Sequence, residues 1–189
     1  MSTGASSYNA ALRHAASYGW IERLQALLPV SNAKSVDIGG YTALHFAARN
    51  DNTECLQALL PFSDAKSVDA FGRTALHLGA IYGHTNCLKV LLPVSDANAA
   101  DKDGWTALHF AARNGNAECH QALLPFSDAK AADSKGRTAL DLARSYWKED
   151  CASLIEAHLA ERERTEIAKH IESQSVQQRN SQARKSRSI

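Results

Sequence analysis

The sequence predicts an all-α solenoid of about five stacked helix–turn–helix–loop repeats, followed by a C-terminal helical extension. Three ladders of residues support this prediction, because each of them advances along the chain by 32 residues. Self-similarity at a fixed period of roughly 20–50 residues is the signature of stacked repeats. The ladders are the four prolines Pro29, Pro61, Pro93 and Pro125, the four cysteines Cys55, Cys87, Cys119 and Cys151, and the Thr-Ala-Leu-His motifs that begin at Thr42, Thr74 and Thr106, with Thr-Ala-Leu-Asp at Thr138.

Residues 42–73 illustrate how one repeat is built. Thr42 is a typical N-cap residue, and the small and apolar side chains that follow it predict a short first helix. A second helix is predicted over residues 53–60, with Cys55, Leu56 and Leu59 at helical spacing toward the interior. Pro61 is expected to stop this helix, because proline disfavours helical geometry at the residue before it. Neither helix is long enough to be stable alone, so the repeats must stack.

The repeats are predicted at 10–41, 42–73, 74–105, 106–137 and 138–160, after a lead-in at 1–9. The two end repeats carry more polar residues, as expected of caps whose outer face meets water. The last repeat lacks the proline, so its second helix can run on, docked by Leu154, Ile155 and Leu159. A charged helical extension is predicted at 161–173. The polar, basic segment 174–189 is predicted to be disordered.

The repeat resembles the ankyrin repeat. The resemblance is carried by Asp-x-x-Gly-x-Thr-Ala-Leu-His-x-Ala-Ala, best seen from Asp101 to Ala112, and by the second-helix pattern Glu-Cys-x-x-x-Leu-Leu. It covers residues 10 to about 160. The family period is about 33 residues, whereas this chain has 32, and the family motif Thr-Pro-Leu-His reads Thr-Ala-Leu-His here. The resemblance implies a protein-interaction module, an adaptor or inhibitor, that binds with its hairpin tips and the concave face of its first helices.

Carried over position by position, the resemblance assigns candidate protein-binding residues that are rich in Tyr, Trp and Arg, the residue types enriched in binding hot spots. The arginines favour a partner protein with an acidic or phosphorylated segment. An alternative stays open, in which the arginines only interact with helix C-termini and the tyrosines only cover alanine-rich helices. The candidates are Tyr18, Tyr41, Arg49, Phe71, Arg73, Ile81, Tyr82, Trp105, Arg113 and Tyr146.

The histidine ladder His45, His77 and His109 is not expected to form a metal site. A zinc ion needs ligands that converge within about 2.0–2.3 Å, whereas ladder residues are distributed one per layer. We expect these histidines to hydrogen-bond the neighbouring loop and the cysteines to fill small apolar slots as reduced thiols. The sequence therefore predicts no enzyme activity, no cofactor, no metal and no small-molecule substrate.

The charge distribution argues against a dedicated nucleic-acid binder. Residues 174–189 carry four basic side chains and no acidic one, while the rest of the chain is slightly acidic. No apolar run reaches the ~20 residues of a membrane span, and the N-terminus lacks a secretory signal pattern. We expect a cytoplasmic monomer, with non-classical export left open. A second hypothesis is a secreted bacterial effector that acts on host proteins through the same face, with the tail as its export signal.

Overall fold

The computed structural model of the chain describes residues 3–186, and the side chains of residues 6–177. Within this part the chain forms ten α-helices and no β-strand, so the predicted all-α solenoid is confirmed. The first helices of successive repeats pack side by side in one row, and the second helices form a parallel row behind them. The helices are α1 (Thr3–Tyr18), α2 (Ile21–Leu27), α3 (Ala43–Arg49), α4 (Thr53–Leu59), α5 (Ala75–Tyr82), α6 (Thr85–Leu91), α7 (Ala107–Asn114), α8 (Ala117–Leu123), α9 (Ala139–Ser145) and α10 (Glu149–Ser186).

One continuous hydrophobic core runs through the stack. In α3 the buried side chains include Ala47 and Ala48, whose small size lets neighbouring first helices approach closely. In α4 the predicted inward residues Cys55, Leu56 and Leu59 are all buried, so their assignment is confirmed. Because each repeat buries its apolar surface against its neighbours in the stack, the short helices depend on the stack for their stability.

The ladder histidines close the N-terminus of each first helix and tie it to the next loop. The Nδ1 atom of His45 accepts the backbone N–H of Thr42 at 3.2 Å. Its Nε2 therefore carries the proton and donates to the carbonyl oxygen of Arg73 at 3.0 Å. His77 and His109 repeat this arrangement in the next layers. Burial lowers the pKa of each of the three, which keeps the rings neutral. The predicted role of the ladder histidines is confirmed.

The prolines end the second helices in a different way from the prediction. α4 does end just before the proline, at Leu59, but Leu60 keeps helical dihedral angles (φ −51°, ψ −44°) and starts a single 3-10 turn that runs over Leu60–Phe62. The expectation of non-helical geometry at Leu60 is therefore wrong. Pro61 stands in the first turn of this new element, where the N–H that it lacks would have no helical partner.

The residues that follow the four prolines form an apolar ladder at the same 32-residue spacing. Their side chains are about half exposed. The leucine before the proline takes the inward position instead, and Leu92 and Leu124 are buried there. The ladder is therefore an exposed row on the surface of the stack: Val30, Phe62, Val94 and Phe126.

The loops between repeats end in hairpin tips that bond to one another. In each tip an aspartate accepts two backbone N–H groups, as Asp69 does from Phe71 and Arg73 at 2.8 and 2.9 Å. Glycine follows in a left-handed conformation, with φ of +83° at Gly72. The tips then bond along the stack, and the N–H of Lys102 donates to the carbonyl of Phe71 at 3.0 Å. The tips thus form one continuous ribbon.

Both ends of the chain are more helical than predicted. α1 begins at Thr3, inside the predicted lead-in at 1–9. α10 is docked by Leu154, Ile155 and Leu159, as predicted, but it continues to Ser186 through the segment from 174 that was predicted to be disordered. The reason is that no glycine or proline follows Gly136 to break a helix. Residues 187–189 of the predicted tail lie outside the described residues.

Candidate functional site

The tip face is the surface formed by the hairpin tips 37–41, 69–73, 101–105 and 133–137 together with the C-terminal ends of α1, α3, α5, α7 and α9. All ten predicted binding residues lie on it. Their role in binding a partner stays a prediction, but their exposure divides them into two groups. Tyr41, Arg73, Ile81 and Trp105 are half-buried, whereas the exposed members are Tyr18, Arg49, Phe71, Tyr82, Arg113 and Tyr146.

The arginine that closes a tip is tied to the buried aspartate of the same tip. Arg73 donates from Nε to Asp69 at 2.8 Å, and Arg137 donates from both Nε and Nη2 to Asp133 at 3.0 and 2.7 Å. Burial raises the pKa of Asp133, but hydrogen bonds from the backbone and guanidinium of Arg137 outweigh it and lower that pKa to about 2. These two arginines brace the tips, and their charges are already balanced.

Tyr41 and Trp105 stand at the same place at the ends of repeats 1 and 3, immediately before an N-cap threonine. The Tyr41 hydroxyl accepts a hydrogen bond from Nη2 of Arg73, in the next tip, at 2.7 Å. The Trp105 ring packs against Phe110 of α7 with centroids 5.0 Å apart. Each side chain therefore joins its tip to the following repeat, and only part of its surface faces outward.

The C-terminal ends of the first helices carry stacked arginine–tyrosine pairs. The guanidinium of Arg49 in α3 lies 5.7 Å from the ring centroid of Tyr82 in the next repeat. Arg113 in α7 lies 5.3 Å from the ring of Tyr146, again in the next repeat, and 5.5 Å from Trp105 on its other side. Both arginines stand in the last turn of their helix, so the alternative role of stabilising a helix C-terminus has a basis as well.

Two exposed tryptophans beside the tip face were not predicted as binding residues. Trp20 is 46% exposed and stacks on Tyr18 with centroids 5.0 Å apart. Trp147 is 84% exposed and has a left-handed φ of +53°. Three other repeats have glycine at this turn, as Gly83 and Gly115 illustrate with φ of +79° and +75°. The sequence marks Trp147 as unusual, because a bulky residue stands there at a position that is glycine in three other repeats.

The described residues offer little for catalysis. All four cysteines are free and buried, and burial raises the pKa of the Cys87 thiol to about 12, so this group is not an activated nucleophile. Among the described residues, no three His, Cys, Asp or Glu side chains gather closely enough to hold a metal ion. Likewise, no helix in residues 3–186 is both long and apolar enough to cross a membrane.

Two hollows lie on different sides of the stack. A hollow of about 220 Å³ opens on the tip face beside Trp105 and Arg113. A larger one of about 500 Å³ lies between α10 and the loop at Asp128 and Lys130, away from the tip face. Only the first of them contains predicted binding residues.

Comparison with known proteins agrees with this architecture. The family model described as ankyrin repeats (3 copies) matches residues 12–101 and again residues 93–164. A search of curated proteins finds no match to the chain.

Proposed function

We propose that this chain, which belongs to the ankyrin-repeat family, is a non-enzymatic adaptor or inhibitor that covers the surface of a partner protein with its tip face. Ankyrin repeats are generally protein–protein interaction modules, and the family is typically non-enzymatic. The observation that carries the proposal is the exposure of large aromatic side chains at the centre of this face, at the tip of repeat 2 and on the first helix of repeat 3. Phe71 is 60% exposed and Tyr82 is 48% exposed.

These side chains are also held in place before any partner arrives. The guanidinium of Arg73 lies 4.6 Å from the Phe71 ring, and that of Arg49 lies 5.7 Å from the Tyr82 ring. Stacking restricts the rings, so less conformational entropy remains to be lost on binding. Aromatic residues that are exposed, central and ordered are the usual anchors of an interface.

Partner capture by matched variants tests this proposal. The full chain, immobilised, is used to capture partners that mass spectrometry identifies, and the measurement is repeated with the double variant Phe71→Ala, Tyr82→Ala. We expect capture to fall more than roughly tenfold, since hot-spot truncations cost about 2 kcal/mol or more. Helical circular dichroism should be unchanged, because both side chains are largely in water.

Phe62→Ala provides the control. Phe62 is 52% exposed, close to the exposure of Phe71, but it belongs to the exposed row on the other side of the loops. Its loss should leave capture intact. If the double variant still captures the partner, or if Phe62→Ala abolishes capture, the tip face is not the binding surface.

A further inference from the structure

The two arginine–tyrosine stacks on the tip face form a pair with a fixed spacing. Arg49 stacks on Tyr82, and Arg113 stacks on Tyr146, with nearly equal distances of 5.7 and 5.3 Å. The two arginines occupy the same position in repeats 2 and 4. The tip face therefore presents the same cationic feature twice, two layers apart.

These two guanidinium groups are available to a partner, unlike those of the tips. Among the described residues, neither Arg49 nor Arg113 forms a salt bridge or a side-chain hydrogen bond, and both are exposed. By contrast, Arg73 and Arg137 are paired with Asp69 and Asp133 at 2.7 Å. Among the arginines of the tip face, Arg49 and Arg113 are thus the two whose charge is available to a ligand.

A neighbouring ring restrains each guanidinium group. The guanidinium carbon of Arg49 lies 5.7 Å from the Tyr82 ring centroid, and that of Arg113 lies 5.3 and 5.5 Å from the ring centroids of Tyr146 and Trp105. Attraction to a ring restricts the side chain, so the planar fork, which matches the geometry of a carboxylate or phosphate, loses less entropy when it binds one.

The spacing of the two sites determines the length of the ligand. Stacked helices lie about 8–10 Å apart, so two layers separate the arginines by about 16–20 Å. An extended chain advances about 3.3 Å per residue, and five or six residues cover that distance. Between the two sites, the tip face presents the apolar surfaces of Phe71, Ile81 and Tyr82.

We propose that the tip face binds an extended segment of its partner that carries two anionic side chains five or six residues apart with an apolar residue between them. This inference rests on the proposed function and specifies the chemistry of the partner. Arg49 and Arg113 bind the two anionic groups, and the apolar surface of Phe71 and Ile81 between them receives the apolar residue. The anionic groups are carboxylates of Glu or Asp.

Two labelled nine-residue peptides of equal composition test the spacing by fluorescence anisotropy against the full chain. The wide peptide, SESSLSSES, has its glutamates six residues apart, and the narrow peptide, SSSELESSS, has them two apart. We expect the wide peptide to bind roughly five- to tenfold more tightly, because it alone can reach both arginines. Equal affinities, or no binding of either peptide at low salt, would overturn the inference.

Variants at the two arginines provide the second measurement. Arg49→Gln and Arg113→Gln should each weaken the wide peptide about fivefold. Each single change should weaken binding of the narrow peptide less than about twofold, because the remaining arginine can still bind one of its glutamates. Arg113→Lys, which keeps the charge but not the planar fork, should behave like Arg113→Gln. An unchanged affinity for the wide peptide in the double variant would contradict the proposal.

Phosphoserine at both glutamate positions identifies the source of the anion. If the phosphorylated wide peptide binds more than about tenfold more tightly than the glutamate peptide and keeps its advantage over the phosphorylated narrow peptide, the partner segment is phosphorylated. Equal affinity of the phosphorylated and glutamate peptides indicates carboxylates.

The capture assay distinguishes failure of the acidic-segment proposal from failure of the proposed function. If Phe71→Ala, Tyr82→Ala loses the captured partner while Arg49→Gln, Arg113→Gln keeps it, the acidic segment is wrong and the proposed function stands. If both variants keep the partner, the proposed function itself fails.

Discussion

Replacing His120 with leucine should stabilise the protein, and the gain should grow as the pH falls. His120 is fully buried in α8, at the surface that packs against α10. Neither of its ring nitrogens has a hydrogen-bond partner among the described residues. Leucine occupies the same position in the first three repeats, at Leu24, Leu56 and Leu88, and each of these side chains is fully buried. Leucine therefore fits the site.

The magnitude follows from the unsatisfied ring and from its pKa. A buried polar group without a partner costs about 1–3 kcal/mol, so His120→Leu should gain about 2 kcal/mol of unfolding free energy at pH 7.5. Burial, and then the charge of His158, lowers the pKa of His120 from 6.5 to about 4. Such a shift corresponds to about 3 kcal/mol, of which about 2 kcal/mol appears between pH 7.5 and pH 5.

The sign follows from which state binds the proton. Between pH 6.5 and about 4 the unfolded chain takes up a proton at His120 that the folded chain does not, so the folded state loses stability as the pH falls. Above pH 6.5 both states are neutral there, and the wild-type and variant curves should run parallel. Because His45, His77 and His109 are present in both proteins, the difference between the two curves isolates His120.

Urea unfolding followed by circular dichroism, at half-unit steps from pH 7.5 to 4.5, measures this difference. His158→Gln should keep most of the pH slope, since burial of His120 is the larger cause of its shift. Curves for wild type and His120→Leu that stay parallel down to pH 4.5 would refute the reasoning. They would mean that the ring of His120 is hydrated or partnered in solution.

Three further substitutions test the backbone. Gly104→Ala should cost about 2–3 kcal/mol, because a Cβ there would lie 2.7 Å from the backbone nitrogen of Ser134 and break a tip-to-tip hydrogen bond. Gly136→Ala has the same left-handed φ but nothing within 4 Å, so it should cost only about 1 kcal/mol, and equal losses would contradict the stacking of tips. Trp147→Gly should raise the urea midpoint by an amount equivalent to about 1 kcal/mol, because an exposed indole is replaced at φ +53° by the residue that tolerates this angle. A lower midpoint would show that the indole contributes to packing.

The sequence predicts the scaffold well because the same physical requirement recurs in every layer. Thr42 must cap a helix and His45 must reach the next loop, and three of the motif copies preserve both roles. The same holds for the buried positions Cys55, Leu56 and Leu59. A residue that is repeated at 32-residue intervals meets the same neighbours each time, so its environment can be deduced from the pattern.

Features that depend on a single neighbour could not be deduced in this way. The arginine of a tip and the arginine of a helix end look alike in the sequence, yet Arg73 is neutralised by Asp69, whereas Arg49 stacks on a ring one repeat away. The sequence pattern does not predict the 3-10 turn at Leu60–Phe62 for a related reason. A proline after a leucine run predicts the end of a helix, but at the start of a new turn the N–H that proline lacks has no partner to lose.

The positions that interrupt the repeat meet in space at the C-terminal end of the stack. Among the buried positions of their second helices, repeats 2 and 4 differ only at Leu56 and His120. In the last repeat, His158 stands where the exposed row would continue from Phe126, and its Nε2 is buried without a partner among the described residues. His120 and His158 are close enough for the charge of one to lower the pKa of the other. Leucine at position 120 would fit this buried site better than histidine does, so the contact between α8 and α10 is less stable than the fold permits. The last helix is therefore the part of the stack whose docking should weaken first in acid.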